Sequence, residues 1–402
     1  NSTLENDPAL TELIDELGLR PQVVEASDAA NRRYVVKHGK VLPLPSSPID
    51  LLSSKLFSAK DILGLIKEPF IKPAQTEESI HQFVLRRLGQ NFLDWAIDPF
   101  VSGVYAGDPR SLSIRAATPK VYALEAEHGS LIRGAIKRMR QKHRESNAGD
   151  AQQTTGLQTM PSGKMISFQN GMGSLTLTLA SRLGDKLHTG TPVRQIQQEG
   201  GEWEARTASG QVFRAPRIVL ATPANVSALL LKWVDPTLSD LLDQIIYPPV
   251  TSVALGFKRD QVGHPLDGFG VLIPSKEQRP TLGALFNSTL FPGRAPEGHV
   301  LLTAFIGGRR NPETTLGGEK AVLNRVMTDL SELLNIRGEP VMVRQTAWPH
   351  AIPQYELGYL ERLTKIDQRL TKLPGLSMRA NWRDGISVVD CVKNAKAFAA
   401  RF

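Results

Sequence analysis

Between Pro248 and Gly308 the chain runs strand after strand, VTSVALGFK, GFGVLIP, TLGALFNSTLF and HVLLTAFIGG, with turn residues between them and few helix signals. Such a run has to close on a sheet of several strands, because a strand alone leaves its backbone N–H and C=O groups unpaired. Phe269, Leu272, Leu282, Leu285, Phe286 and Phe305 give that sheet a broad apolar and aromatic face. A packed core accounts for most of these side chains. The scarcity of helices in the window also leaves part of the face available to an apolar ligand. With 402 residues, 41% of them hydrophobic, the chain exceeds one small core, and two or three structural regions are expected.

The flanking segments add helices and short strands. Asn1 to Gly18 reads as an amphipathic helix capped at Ser2 or Thr3, with Leu10, Leu13, Ile14 and Leu17 on one face and Gly18 closing it. Arg20 to Pro45 reads as two short strands about a His38-Gly39 turn, with Arg33 opening the first; an arginine there is ordinarily a solvated edge charge. Ile49 to Leu124 is mostly helical and flanked by Lys and Arg, which suits either a plain helical subdomain or a surface resting on an anionic membrane. Within it, DPFVSGVYAGDP (Asp98 to Pro109) sets Gly103 and Gly107 among apolar residues, as in a helix turn or a backbone that approaches a flat object. RGAIKRMRQKHR (Arg133 to Arg144) is a basic helix end leading into a polar, flexible loop from Glu145 to Gly156.

Met165 to Leu183 reads as a strand, a glycine turn and a helix. Thr176 stands where the third glycine of G-x-G-x-x-G belongs, so the dinucleotide fingerprint fails there. A meander from Leu187 to Arg214 and a buried-type strand from Arg217 to Ala221 follow. Beyond the central strands come a helix from Glu319 to Leu334, a strand from Val341 to Ala347 and an aromatic loop from Trp348 to Tyr359. The chain ends in a short strand, a polar turn from Asn381 to Gly385 and an apolar helix, whose first amides and dipole favour a negative group.

Composition narrows the chemistry. A net charge of +8 favours anionic partners without choosing among acidic lipid, carboxylated metabolite and nucleic acid. The single cysteine, Cys391, excludes a disulfide framework and a Cys-rich metal site, and is expected as a small buried apolar residue. No apolar run is long enough to span a bilayer. There is no H-E-x-x-H, G-x-S-x-G or P-loop, and the eight histidines are scattered, so neither a metal site nor a Ser-His pair has support. An enzyme built on this chain would leave the chemistry to a cofactor.

DPFVSGVYAGDP, GFGVLIPSKEQ, TLGALFNSTLFPGRAP, TAFIGG, WPHAIPQY and NWRDGISVVDC, in this order, together resemble the oxygen-dependent protoporphyrinogen IX oxidases, flavoproteins of haem and chlorophyll synthesis. GVYAGDP and AIPQ are most similar to the plastid and cyanobacterial type. The resemblance spans nearly the whole chain and implies an α+β fold. Its parts would be an incomplete FAD/NAD(P)-binding-like domain (1–26, 160–230, 372–402), a mixed-sheet substrate domain (27–48, 231–371) and a helical membrane-associating domain with a basic loop (49–159). It implies FAD as cofactor and oxidation of protoporphyrinogen IX, with hydride passing to the flavin and dioxygen regenerating it as hydrogen peroxide is made. It further implies a peripheral location on a plastid or bacterial cytoplasmic membrane, no nucleic-acid partner and room for a homodimer; targeting is not readable from the chain.

Carried over by position, Arg33 matches an arginine that pairs with a porphyrinogen propionate, and Phe269, Leu272, Leu285 and Phe305 match residues that sandwich the macrocycle. Gly103 matches a backbone position against the substrate and Ile352 a wall residue near the flavin. Val193 matches the residue at the adenine, Trp348 lies beside the flavin, and Asn381, Ile386, Ser387 and Val388 form the last turn and helix start at its ring. Two departures stand out. The family opens with a strand, G-x-G-x-x-G and a helix, and this chain starts beyond that unit, so a fragment of a longer protein or a truncated product is expected. Arg379-Ala380-Asn381 also replaces a small-Gly-Asn turn, setting a bulky charge where the backbone should approach the cofactor. The alternatives are the sister activity on coproporphyrinogen III, a catalytically silent porphyrin-binding or membrane-surface protein, and a flavin amine oxidase or carotenoid desaturase relative. The last of these would lack GFGVLIPSKEQ and FPGRAP.

Overall fold

The computed structural model describes residues 2–146 and 163–401; of the polar loop expected from Glu145 to Gly156, Glu145 and Ser146 end the helix Leu131–Ser146 and the rest lies outside the described residues. The chain groups into two compact units, one of Asn1–Ala26, Pro161–Ile246 and Gly358–Phe402, the other of Ser27–Met160 and Tyr247–Leu357. Residues 231–246 and 358–371 therefore group with the first unit, and the helical segment groups with the large sheet.

In the first unit the helix Pro8–Glu16 forms because Pro8 sits at its first position and Asp7 caps it, accepting from Ala9 N at 3.0 Å. The expected cap at Ser2 or Thr3 gives way to a strand: Thr3–Glu5 pairs antiparallel with Lys164–Phe168, which also pairs antiparallel with Val23–Glu25. Leu10 and Ile14, one helical turn apart, bury with Leu19, Ile166, Phe168, Leu175 and Val389. Val193–Glu199, Glu202–Thr207 and Val212–Ala215 make an antiparallel meander. Ile218–Leu220 and Leu376–Met378 make a parallel pair, anchored by Trp203 Nε1 donating to Pro374 O at 2.9 Å. From that pair the chain passes through a short helical turn, Asn381–Asp384, to the helix Val388–Ala399.

The second unit is built on a seven-stranded mixed sheet. Its order is Met342–Trp348, Val250–Lys258, His299–Gly307, Thr281–Leu285, Gly270–Leu272, Tyr34–Lys37 and Lys40–Pro43, antiparallel except where Gly270–Leu272 meets Tyr34–Lys37. Alternation divides its side chains between two faces. On one face Tyr34, Val36, Val253, Leu255, Val271, Ala284, Phe286, Ala304 and Ile306 bury against Val322, Val326 and Leu330 of the helix Gly318–Leu334. Phe286, expected beside Phe305 on a single apolar face, is therefore core on the opposite side. The helices between Pro48 and Ser146 are tied by a buried ion cluster. Arg87, fully buried, pairs with Glu68 and Glu125, and Arg86 pairs with Glu78 and Glu125. Glu68 also accepts from Leu131 N at 2.9 Å and Ile132 N at 3.2 Å, which holds the start of the basic helix Leu131–Ser146.

Candidate active site

The second face of the large sheet carries the expected substrate residues. Strand register sets Leu272, Gly283, Phe305 and Ser252 in one row and Gly270, Leu285 and Thr303 in the next. Leu272, Leu285, Phe305 and Phe269 are half-buried, whereas their alternate neighbours are core. Leu272 and Phe305 flank Gly283, so the row dips at the glycine, and Leu272 leans over it with Cδ2 3.5 Å from where a Cβ would lie. A Cβ on Gly283 would lie 2.5 Å from Val271 O, so no side chain can fill it without breaking the ladder.

The glycine-bearing helix Asp98–Tyr105 lies against this face. A Cβ built on Gly103 would come 2.4 Å from Leu272 Cδ2, so the helix backbone approaches that side chain closely. Polar pins at the start of the helix hold it there. Arg310 pairs with Asp98 and bonds Ser102 Oγ, and Asp98 accepts from Ser275 N at 2.8 Å. At its end, Gln354 Nε2 donates to Tyr105 O at 2.9 Å and to Ile352 O at 3.0 Å. Ile352 and Ala351 pack with Phe305, Ala106, Val250 and Leu282. Sequence reasoning named neither Asp98, Arg310 nor Gln354 as site-forming. Asp98 and Gln354 fall inside the quoted motifs, but the partners they join are distant in sequence.

Arg33 stands at the edge of this face. Its guanidinium carbon lies 5.3 Å from the Phe269 ring centroid, and burial pushes its pKa below the usual arginine value while leaving it charged. Among the described residues no group of three His, Cys, Asp or Glu side chains could hold a metal ion. The second unit thus offers an apolar wall about Gly283, a helix backbone close against it and an arginine at its edge. That combination suits a flat apolar ligand carrying a carboxylate.

The cofactor residues divide between the units. Asn381, Ile386, Ser387 and Val388 lie at the strand–turn–helix junction of the first unit, Val193 opens its meander, and Trp348 ends a strand of the second unit with 54% of its surface exposed. Ser387 caps the final helix, accepting from Asp390 N at 3.0 Å, and its hydroxyl donates to the Asp390 carboxylate at 2.6 Å. Gly385, at φ +117°, leaves the space that a Cβ would contest with Asp390 at 2.8 Å. Ser387 and Val388 are exposed and Ile386 is half-buried, so an open helix start edged by apolar side chains faces outward. The helix start and these apolar surfaces are what the junction would offer a flavin ring, the Ser387 hydroxyl and Asp390 N being engaged with each other. The glycine turn at Gly171 and Gly173 follows a strand antiparallel to both its neighbours, which excludes it as a parallel-sheet phosphate loop.

Two expectations about this junction are corrected. The Arg379 guanidinium stacks on Phe398, 4.7 Å from its centroid and near the far end of the final helix, so its charge is drawn away from the helix start. Cys391 is exposed rather than buried, with Sγ 3.6 Å from Gly385 O; the buried position of that turn is taken by Val389.

Comparison with known proteins gives the same assignment. A family model for flavin containing amine oxidoreductases matches residues 1–383. Protoporphyrinogen oxidase 2, chloroplastic/mitochondrial, of Arabidopsis thaliana is 33% identical over 96% of this chain and 80% of its own length. Coproporphyrinogen III oxidase of Bacillus subtilis is 28% identical over 99% of this chain and 84% of its own length. A crystal structure from Exiguobacterium sp. 255-15 superposes with a TM-score of 0.82 at 22% identity, covering 100% of this chain and 86% of that one. Cyclohexylamine oxidase from Brevibacterium oxydans superposes at 0.65 and 15% identity, covering 100% and 87%, which extends the likeness of fold to amine oxidases. The chain belongs to the flavin containing amine oxidoreductase family and, within it, to the protoporphyrinogen oxidases.

Proposed function

We propose that the protein is an FAD-dependent oxidoreductase that oxidises protoporphyrinogen IX to protoporphyrin IX, with dioxygen as final acceptor and hydrogen peroxide as co-product. The observation that carries this reading is the row of half-buried Leu272 and Phe305 about buried Gly283, approached by Gly103 and edged by Arg33. FAD, when bound, supplies the redox chemistry, accepting hydride from the porphyrinogen. The chain's own residues bind and orient. Leu272, Leu285, Phe305 and Phe269 exclude water from the macrocycle, and Arg33 fixes its rotation by pairing with one propionate. Ile386, Ser387 and Val388 would hold the flavin ring, with the helix start favouring negative charge on it. Val193 would meet the adenine, and Trp348 and Ile352 would wall the ring.

Coproporphyrinogen III is the second reading, motivated by the Bacillus relative. It carries additional propionates and calls for more cations at the rim. Here Arg32, the neighbour of Arg33, is already paired with Asp267, which favours the substrate with fewer carboxylates. Comparing kcat/KM for the two porphyrinogens on the full-length, FAD-loaded protein decides. A higher value for protoporphyrinogen IX supports the first reading, and a higher value for coproporphyrinogen III overturns it.

The helical segment supplies a membrane-facing surface in this reading. Ile49, Leu52, Leu63, Ile66 and Phe70 are 62–79% exposed, among Lys55, Lys60, Lys67 and Lys72. Among the described residues no helix is long and apolar enough to cross a membrane, so the contact would be peripheral. Co-sedimentation with vesicles containing phosphatidylserine, lost on Phe70→Ser with Ile66→Ser, is expected; sedimentation unaffected by that pair contradicts it.

A further inference from the structure

A polar cluster sits behind the Arg33–Phe269 pair. The Tyr34 hydroxyl donates to Asp267 Oδ1 at 2.6 Å, and Arg32 pairs with the same carboxylate. Together these two bonds hold Asp267 below the usual carboxylate range, the Tyr34 hydroxyl most of all. Two residues further on, Phe269 N donates to Arg32 O at 2.7 Å, and Phe269 O accepts from Phe286 N at 3.0 Å. Gly268 lets these segments meet, since a Cβ there would lie 2.8 Å from both Arg32 O and the Tyr34 ring. His264 packs edge-on to Tyr34, with ring centroids 5.1 Å apart, and accepts from Leu266 N at 3.0 Å.

Strand alternation gives this arrangement its direction. Val35 pairs with Leu272, whereas Tyr34 buries on the opposite face, so Arg33 and Val35 share a side of the strand and Arg32 and Tyr34 share the other. Asp267 thus anchors the strand through the two side chains that point away from the substrate wall. The guanidinium left facing that wall belongs to Arg33, and its ring partner Phe269 sits on the segment that Asp267 begins.

We propose that Tyr34 and Asp267, with Arg32, form a latch that positions the Arg33 guanidinium, resting on the Phe269 ring, for one ligand carboxylate. The inference rests on the reading of Arg33 as the carboxylate-binding residue. Tyr34 and Asp267 are positioning residues: they touch Arg33's backbone neighbourhood, and their effect on binding passes through its guanidinium.

A double-mutant cycle tests this, with protoporphyrin IX titrated against the full-length, FAD-loaded protein and Kd read by fluorescence. Tyr34→Phe removes the hydroxyl alone and is expected to weaken binding about fivefold when Arg33 is present, the size of one modest polar interaction. In an Arg33→Met background the same change is expected to cost nothing further, because the group it positions is gone. Equal losses in both backgrounds would assign Tyr34 to the fold alone and overturn the latch, as would no loss when Arg33 is present. If Arg33→Met by itself leaves Kd unchanged, the carboxylate reading fails and the latch with it, an outcome distinct from additivity. Should Tyr34→Phe fail to fold, Asp267→Asn completes the same cycle and is judged in the same way.

Discussion

At the residue scale the account turns on charge and on space. Arg33 is an arginine half withdrawn from water against an aromatic ring, and a charged group in that setting gains most when a carboxylate meets it. Arg33→Met is expected to raise Kd for protoporphyrin IX by roughly tenfold or more, as for loss of a hydrogen-bonded charge pair, with little change in thermal stability. Gly103 makes the complementary prediction about space. The methyl of Gly103→Ala meets the far end of a flexible leucine rather than backbone, so Leu272 can turn aside, but only by entering the groove. A raised KM with an unchanged unfolding midpoint is expected; a lowered midpoint with unchanged KM would mean that the groove lies elsewhere.

At the element scale, what could be read from the chain was governed by how local each cause is. The central strands, the hairpin about His38-Gly39 and the helix on Leu10 and Ile14 were legible because periodicity and turn residues act within a few positions. The cap at Asp7 was missed because the Ser2 and Thr3 hydroxyls offer the same kind of side-chain oxygen acceptor as the Asp7 carboxylate, and only pairing of this segment with a strand some 160 residues away removes it from the helix. Phe286 was set on the wrong face although it directly follows Leu285, and alternation alone separates adjacent residues; the bulge between Thr281 and Gly283 bears instead on Leu282, which packs with Phe305. The pins on the glycine helix, Arg310 to Asp98 and Gln354 to Tyr105, join residues more than 200 positions apart.

Two predictions belong to elements. Arg87→Met would leave Glu68 buried without its cation and Glu125 with Arg86 alone, and is expected to lower stability by about 3–5 kcal/mol in urea unfolding. A loss below 1 kcal/mol would mean that the cluster does not hold the helices. His264 concerns the turn beneath Phe269. Burial holds its imidazole below the usual histidine value, and its Nδ1 must stay unprotonated to accept from Leu266 N. A depressed pKa means that the folded state disfavours the proton. The stability His264 contributes is therefore complete above the ordinary histidine pKa of about 6.5 and is lost as pH falls below it through the folded value. His264→Gln is expected to flatten that part of the stability–pH curve, and an unchanged slope would contradict it.

At the scale of the whole molecule, the two units divide the labour. One carries the exposed start of the final helix, proposed to meet the flavin, and the other carries an apolar wall about Gly283 with Arg33 against the Phe269 ring at its edge. In the proposed reaction FAD supplies the redox chemistry, and the protein's contribution is placement, burial and charge. The helical segment carries exposed apolar side chains at Ile49, Leu52, Leu63, Ile66 and Phe70, the surface proposed above to meet an anionic membrane. The central claim is that this wall presents protoporphyrinogen IX for oxidation. It is tested most directly by adding protoporphyrinogen IX to the full-length, FAD-loaded protein and following protoporphyrin fluorescence together with dioxygen consumption. The account predicts that both proceed together and that both slow markedly on Arg33→Met; a folded, flavin-loaded protein that consumes no dioxygen and makes no fluorescent product contradicts it.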